Sequence, residues 1–285
     1  KDGIYEDVSV KIGRNAHPKT KRNVTQDESI ILFVFEGEKV EVQIYESIKQ
    51  HFSKVNSKTH IHATFNTHIY ELYKVLKEDS DQDIVELIRD RSGKNQCSLS
   101  GILRDSIAEV YLFFDYDGHV PVASNESLME MVEYFDNETE AGKLYISYPM
   151  VEALKHVHSN VDFKETIVDI NLGKKYKTLV GEKCENKLQD LTKLTLNNWY
   201  WLIEVHGKKL NYIVNDSYSF PNDLILQNEV FEFQLEKYIK PDEKVAVVSA
   251  FSALIIDYYG VDKIMEQLVN FQNRTRDQNT EILRN

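Results

Sequence analysis

Two unbroken apolar runs constrain the fold most. Ile30-Ile31-Leu32-Phe33-Val34-Phe35 is one, and Val110-Tyr111-Leu112-Phe113-Phe114 is the other. Each has the length of a strand, and neither alternates with polar residues. A strand that reads this way is buried on both faces, as in a parallel sheet covered by helices. Both runs stop abruptly at acids, the first at Glu36-Gly37-Glu38 and the second at Asp115-Tyr116-Asp117-Gly118.

Helical patterns fill the space between strands. Val40, Ile44, Ile48 and Phe52 recur every four residues, with Tyr45 alongside. Residues 61–65 read as a further strand. Ile69, Leu72, Tyr73 and Leu76 give one helix face, and Ile84, Leu87 and Ile88 another. The polar stretch 91–101 reads as a loop. Leu128, Met131, Val132 and Phe135 mark a helix capped by Ser124 or Asn125. Residues 144–148 form another strand, with a short helix through Glu152 and Leu154 after Pro149. Alternation of this kind predicts an α/β domain over 30–160, a Rossmann-like parallel sheet flanked by helices. Residues 1–29 read as a polar arm. Residues 161–285 read as mixed and then mainly helical, with a soft boundary near 160–185.

Composition excludes several classes. Hydrophobic residues are 42% and charged residues 28%, so the chain can bury a core and is not disordered. No stretch approaches the roughly 20 apolar residues that cross a bilayer, so no membrane is expected. Cys97 and Cys184 are too few for a disulfide framework and lack metal-ligand spacing. Together with the lack of a signal-type apolar core near Lys1, this predicts a cytoplasmic protein. The net charge of −12 argues against nonspecific coating of DNA. An acidic chain can still act on nucleic acid where basic residues are local or where metal ions offset a carboxylate cluster. Arg14, Lys19, Lys21 and Arg22 are such a local basic run, a candidate phosphate-contacting arm.

The acids at the strand ends carry the chemistry. Ligands of open parallel sheets bind beyond the carboxyl ends of strands. Residues two apart in an extended segment point the same way, so Asp115 and Asp117 can face one cation. Hard cations such as Mg²⁺ take carboxylate oxygens and keep waters. A cation held there can activate water and stabilise charge on a phosphodiester. Glu36 can ligate the metal or move a proton. The tract Trp199-Tyr200-Trp201 reads as core, and His60, His62 and His68 read as strand and loop residues. No phosphate-binding P-loop and no nucleophile elbow is present in the sequence.

Glu36-Gly37 after one apolar strand and Asp115-x-Asp117 after a later one resemble the Toprim domain. Phe35-Glu36-Gly37-Glu38-Lys39-Val40-Glu41 resembles the EGEKTE opening of RloB-type Toprim proteins, with Val40 in place of Thr. Ser147-Tyr148-Pro149-Met150-Val151-Glu152 resembles their later Ser-x-Pro-x-x-Glu segment. The resemblance covers about residues 30–158. It implies a Mg²⁺- or Mn²⁺-dependent endonuclease of the RloB, AbiLii and PARIS AriB-like type. Such an enzyme would be a toxic effector of anti-phage defence, cutting DNA or RNA, transfer RNA included. It also implies control by a partner ABC/OLD-like ATPase, and a homodimer is left open. By position, Glu36 is the Toprim glutamate and Glu41 a second acid one helical turn on. Asp115 and Asp117 are the metal pair, and Glu152 is a further acid with Ser147 beside it. Lys174, Lys175 and Lys177 are the nearest basic cluster, with Lys175 placed among the catalytic residues. The long span between Glu36 and Asp115 implies a helical insertion over about 66–105.

Two other classes remain. In one, the acids form only a regulatory metal site and the chain is a noncatalytic module that docks on such an ATPase. In the other, strand passage or primer synthesis, the chain lacks both the length for a tyrosine-bearing domain and the cysteines for a zinc domain.

Overall fold

The computed structural model describes residues 29–52, 59–65, 69–79, 82–116 and 124–282, without the side chains of 274–282. Arg14, Lys19, Lys21, Arg22, His68 and Asp117 lie outside the described residues.

The first half alternates as the apolar runs require. Strand β1 is Ile30–Phe35, helix α1 Val40–Phe52 and strand β2 Thr59–Thr64. Helices α2 (Ile69–Glu78), α3 (Ile84–Arg91) and α4 (Gly93–Ser98) follow. Then come strand β3 (Ile107–Asp115), helix α5 (Asn125–Tyr134), a two-residue strand β4 (Asp136–Asn137) and strand β5 (Gly142–Ser147). The sheet runs β2-β1-β3-β5-β4. Strands β2, β1, β3 and β5 are parallel, and β4 joins the edge antiparallel. All six residues of β1 are buried, which accounts for the lack of alternation in the sequence.

The expected loop at 91–101 is instead part helix. Its polar residues give no hydrophobic period, and α4 is held by capping: Ser92 Oγ accepts from the Asn95 N–H. Asn95 then pairs its side chain with both the N–H and the carbonyl of Thr64, acting as one more strand partner for β2. The helical insertion between β2 and β3 is thus α2 to α4.

The second half builds over the sheet. Strand β6 (Ile167–Asp169), α6 (Lys174–Lys183), α7 (Leu196–Asn215) and α8 (Gln227–Gln234) come first. A π-helical turn over Leu235–Ile239 leads into α9 (Lys240–Asp242), followed by strand β7 (Lys244–Ala246), α10 (Ala250–Tyr259) and α11 (Val261–Ile282). Three-residue strands such as β6 and β7 have no period to read in the sequence. They form because each satisfies the other's backbone, and because Gln234 pairs with both polar groups of Ala246. Tyr148 and Val248 exchange backbone hydrogen bonds of 3.0 and 3.1 Å, which ties this half to the end of β5.

Strand alternation sends Phe33, Phe35, Tyr111, Phe113 and Tyr145 to one sheet face. Helix α10 lies on that face, with Phe251 stacked on Phe113 at 4.7 Å and 12°. Phe113 stacks in turn on Tyr145 at 5.6 Å. Trp199 of α7 is fully buried and donates its indole N–H to Ser47 of α1. The two halves share one hydrophobic core. Among the described residues, no helix is long and apolar enough to cross a membrane.

Candidate functional site

The chain leaves β1 toward β2 on one side and β3 toward β5 on the other. The point between β1 and β3 is therefore the topological switch point, where an open α/β sheet leaves a crevice beyond its carboxyl ends. Glu36 and Asp115 stand there. The Glu36 N–H donates to the Phe113 carbonyl at 3.1 Å. Its carboxylate reaches across the strands and accepts from the Asp115 N–H at 3.1 Å. Asp115 is in register with Ser147 on β5.

Glu41 joins from the first turn of α1, a position that favours an acid next to the helix dipole. It folds back so that its Oε1 accepts from the Gly37 N–H at 3.1 Å. This approach depends on a bare Cα. A Cβ on Gly37 would lie 2.7 and 2.9 Å from the two Glu41 oxygens, and the carboxylate would have to move. Glu152 arrives from the single-turn 3₁₀ helix Val151–Lys155. It is 6% exposed, and its Oε2 is buried with no hydrogen-bond partner among the described residues.

These acids act on one another. Burial pushes the Asp115 carboxyl well above the usual aspartate range, and the charges of Glu36, Glu41 and Glu152 push it further. Lys177 opposes them. Glu41 is raised as well, first by burial and then by Glu152, against the Gly37 N–H and Lys177. Asp115 is half-buried. The cation on hand is Lys177, 3.4 Å from Glu152 Oε1. Lys174 and Lys175 sit exposed earlier in the same turn of α6. Tyr176 between them is fully buried, and its hydroxyl is 3.0 Å from His156 Nδ1.

The structure thus gathers Glu36, Glu41, Asp115 and Glu152 at one sheet edge. It brings Lys177 rather than Lys175 to them. Ser147 is nearby but engaged, its Oγ accepting from the Ala250 N–H at the start of α10. The helix periodicity could have separated the lysines: Tyr176 and Val180 are the buried face of α6, and Lys177 flanks that face. The tract Trp199 to Trp201 is core at Trp199, with Lys187 placed 3.8 Å from the ring centre of Trp201.

The donor set suits a hard divalent cation in chemistry. It consists of carboxylate oxygens, one of them buried and unmet, in a cluster whose acids outnumber its lysine. Among the described residues no three His, Cys, Asp or Glu come together in a group that could hold a metal ion. Mg²⁺ sites in general use only one or two carboxylates, with waters and substrate phosphate completing the shell. No protein-family model, no curated protein and no solved structure matches the chain.

Proposed function

We propose that the chain is a Toprim-like, divalent-metal-dependent phosphodiesterase that cleaves nucleic acid. One observation carries this: Glu36 and Asp115 meet at the switch point of a parallel sheet, where the charges of Glu41 and Glu152 also bear on Asp115 and Lys177 pairs with Glu152. Buried charges in a purely structural role are paired. A cluster left with like charges is what a cation-binding or proton-moving centre requires.

Asp115 and Glu36 would hold the ion, with Glu152 as a further acid beside them. Mg²⁺ or Mn²⁺ bound there would activate a water for in-line attack and offset charge on the scissile phosphate. Burial raises the proton affinity of Glu41, which suits it to exchange protons with this edge. Lys177 is placed to offset the charge that develops on the phosphoryl oxygens. In the sequence, the segments holding Glu36, Glu41, Asp115 and Glu152 resemble those of RloB-type Toprim proteins. That resemblance also supports a role as a defence effector restrained by an ABC/OLD-like ATPase.

The test is cleavage of single- and double-stranded DNA and of RNA by the full chain with Mg²⁺ or Mn²⁺. Glu36→Gln and Asp115→Asn should each lower the rate about a thousandfold or more while circular dichroism stays unchanged. Cleavage retained by both variants would overturn the assignment.

A further inference from the structure

The turn that carries Glu152 has little of its own to hold it. A five-residue 3₁₀ helix makes few internal hydrogen bonds, here from the Ala153 N–H to Met150 and from the His156 N–H to Ala153. Its packing neighbours therefore decide where Glu152 stands. One of them is His206 of α7, which is wholly buried. Its Nε2 lies 3.1 Å from the carbonyl of Leu154, two residues past Glu152. Its Nδ1 lies 3.3 Å from the N–H of Ser249. These partners fix the ring's proton. A carbonyl only accepts and a backbone N–H only donates, so Nε2 carries the hydrogen and Nδ1 is bare. Burial keeps such a ring neutral and pushes His206 down to about 4. Phe163 packs against it edge-on, with centroids 5.0 Å and planes 80° apart.

What the ring joins gives it a use beyond stability. Ser249 is the cap of α10, and the next N–H, that of Ala250, donates to Ser147 Oγ at 3.3 Å. Ser147 is in register with Asp115. The start of α10 therefore meets the strand beside Asp115 directly, and meets the turn of Glu152 through the imidazole. A donor on one edge of the ring and an acceptor on the other span that gap. An apolar side chain there would leave a buried carbonyl and a buried N–H unmet. A second tie, between the Tyr176 hydroxyl and His156 Nδ1 at 3.0 Å, holds the residue after the turn to α6, the helix of Lys177.

We propose that His206 is a positioning residue: through the Leu154 carbonyl it sets the turn Val151–Lys155 so that Glu152 stands beside Asp115 and Lys177. The inference rests on the proposed cleavage site, to which it adds a buried residue that touches neither metal nor substrate.

Two variants of the full chain test it. His206→Gln keeps an amide N–H at the place of Nε2, and His206→Asn keeps an oxygen at the place of Nδ1, so each retains one of the two hydrogen bonds. As structural losses alone, they should lower thermal stability alike. As changes to a positioning residue, they should differ. Amide exchange at Ala153 and His156 should quicken about tenfold in His206→Asn and less than about threefold in His206→Gln. In cleavage with Mg²⁺ or Mn²⁺, His206→Asn should lower kcat about tenfold with little change in KM, and His206→Gln should keep most of the rate. Added to Glu152→Gln, His206→Asn should slow cleavage no further, because both act through one carboxylate. Nitrogen NMR of the wild-type imidazole needs no variant and should show a neutral ring with its hydrogen on Nε2. A charged ring, or one with its hydrogen on Nδ1, overturns the proposal. So does equal exchange in the two variants, or a further loss in the double variant. If the wild type cuts no nucleic acid, the proposed function fails, and amide exchange still decides whether His206 sets the turn.

Discussion

Asp257 and Asp115 are both acids packed against the same sheet, and the chain treats them oppositely. Asp257, near the end of α10, lies 2.5 Å from Lys143 and accepts from the Tyr145 hydroxyl at 2.6 Å. Glu138 stands 3.9 Å from the same lysine. In that cluster Asp257 is met directly by both a cation and a hydroxyl donor. Asp115 has three acids bearing on it and one opposing lysine. A fold that can pair an acid so completely toward one end of β5 has left a like-charged group at the other end. The difference separates an acid kept for structure from acids kept for chemistry.

Breaking the Asp257 cluster should have the larger effect on folding. Asp257→Ala strands the Tyr145 hydroxyl and leaves Lys143, whose side chain is 17% exposed, with Glu138 at 3.9 Å. A buried donor left unsatisfied is costly, and about 2 kcal/mol of stability should go. Asp115→Asn removes a like charge instead, so the variant should be as stable as the wild type or more so. Urea denaturation of the two variants reads the contrast. An Asp115→Asn loss as large as that of Asp257→Ala would make both clusters structural.

A metal should sharpen the same contrast. If the acids of the carboxyl edge hold a divalent ion, Mn²⁺ or Mg²⁺ at a hundredfold its Kd adds about 2.7 kcal/mol to stability. Thermal unfolding should show that gain in the wild type and in Asp257→Ala, and not in Asp115→Asn. A wild type indifferent to both ions would leave the edge without its cation.

The pH dependence has a definite sign. The folded chain binds the Asp115 and Glu41 protons more tightly than the unfolded chain does. Below the ordinary values of 3.8 and 4.5, both groups are protonated in either state and cost nothing. As pH rises past those values, the unfolded chain ionises first. Stability then falls, at no more than about 1.4 kcal/mol per pH unit for each proton, until the raised folded values are passed. Metal-free unfolding from pH 4 upward should therefore slope more gently in Asp115→Asn. Equal slopes in the two proteins would show that Asp115 carries no such penalty.

How much of this was legible in the residues depends on range. The buried strands β1 and β3 were readable, because a parallel strand covered on both faces cannot alternate. Glu36 and Asp115 followed from them, being the first acids past each run. Glu41 came through resemblance as an acid one helical turn past Glu36, and its fold-back onto Gly37 was not readable. Glu152 came only through resemblance: a single 3₁₀ turn has no period, and its place depends on how residues far along the chain pack around it. Helix α4 was missed because capping by Ser92 and Asn95, rather than an apolar face, defines it. The pairing of β6 with β7 joins residues about 75 apart, beyond any local pattern.

The smallest effect discriminates within one helical turn. Lys175 and Lys177 differ little in sequence context, and both are exposed on α6. They differ in aim. Lys177 reaches Glu152 at 3.4 Å and opposes the acids at both Asp115 and Glu41, while no carboxylate pairs with Lys175 among the described residues. As surface charges the two should be interchangeable, since exposed ion pairs are worth little to stability. As a group offsetting transition-state charge, Lys177 alone should matter. Lys177→Met should lower kcat about tenfold with little change in KM, and Lys175→Met should change the rate by less than about twofold. Lys177→Arg should restore part of the loss, because a cation of longer reach still meets the phosphoryl oxygens. The reverse ranking of the two lysines would move the catalytic cation away from Glu152 and with it the face of the sheet from which substrate enters.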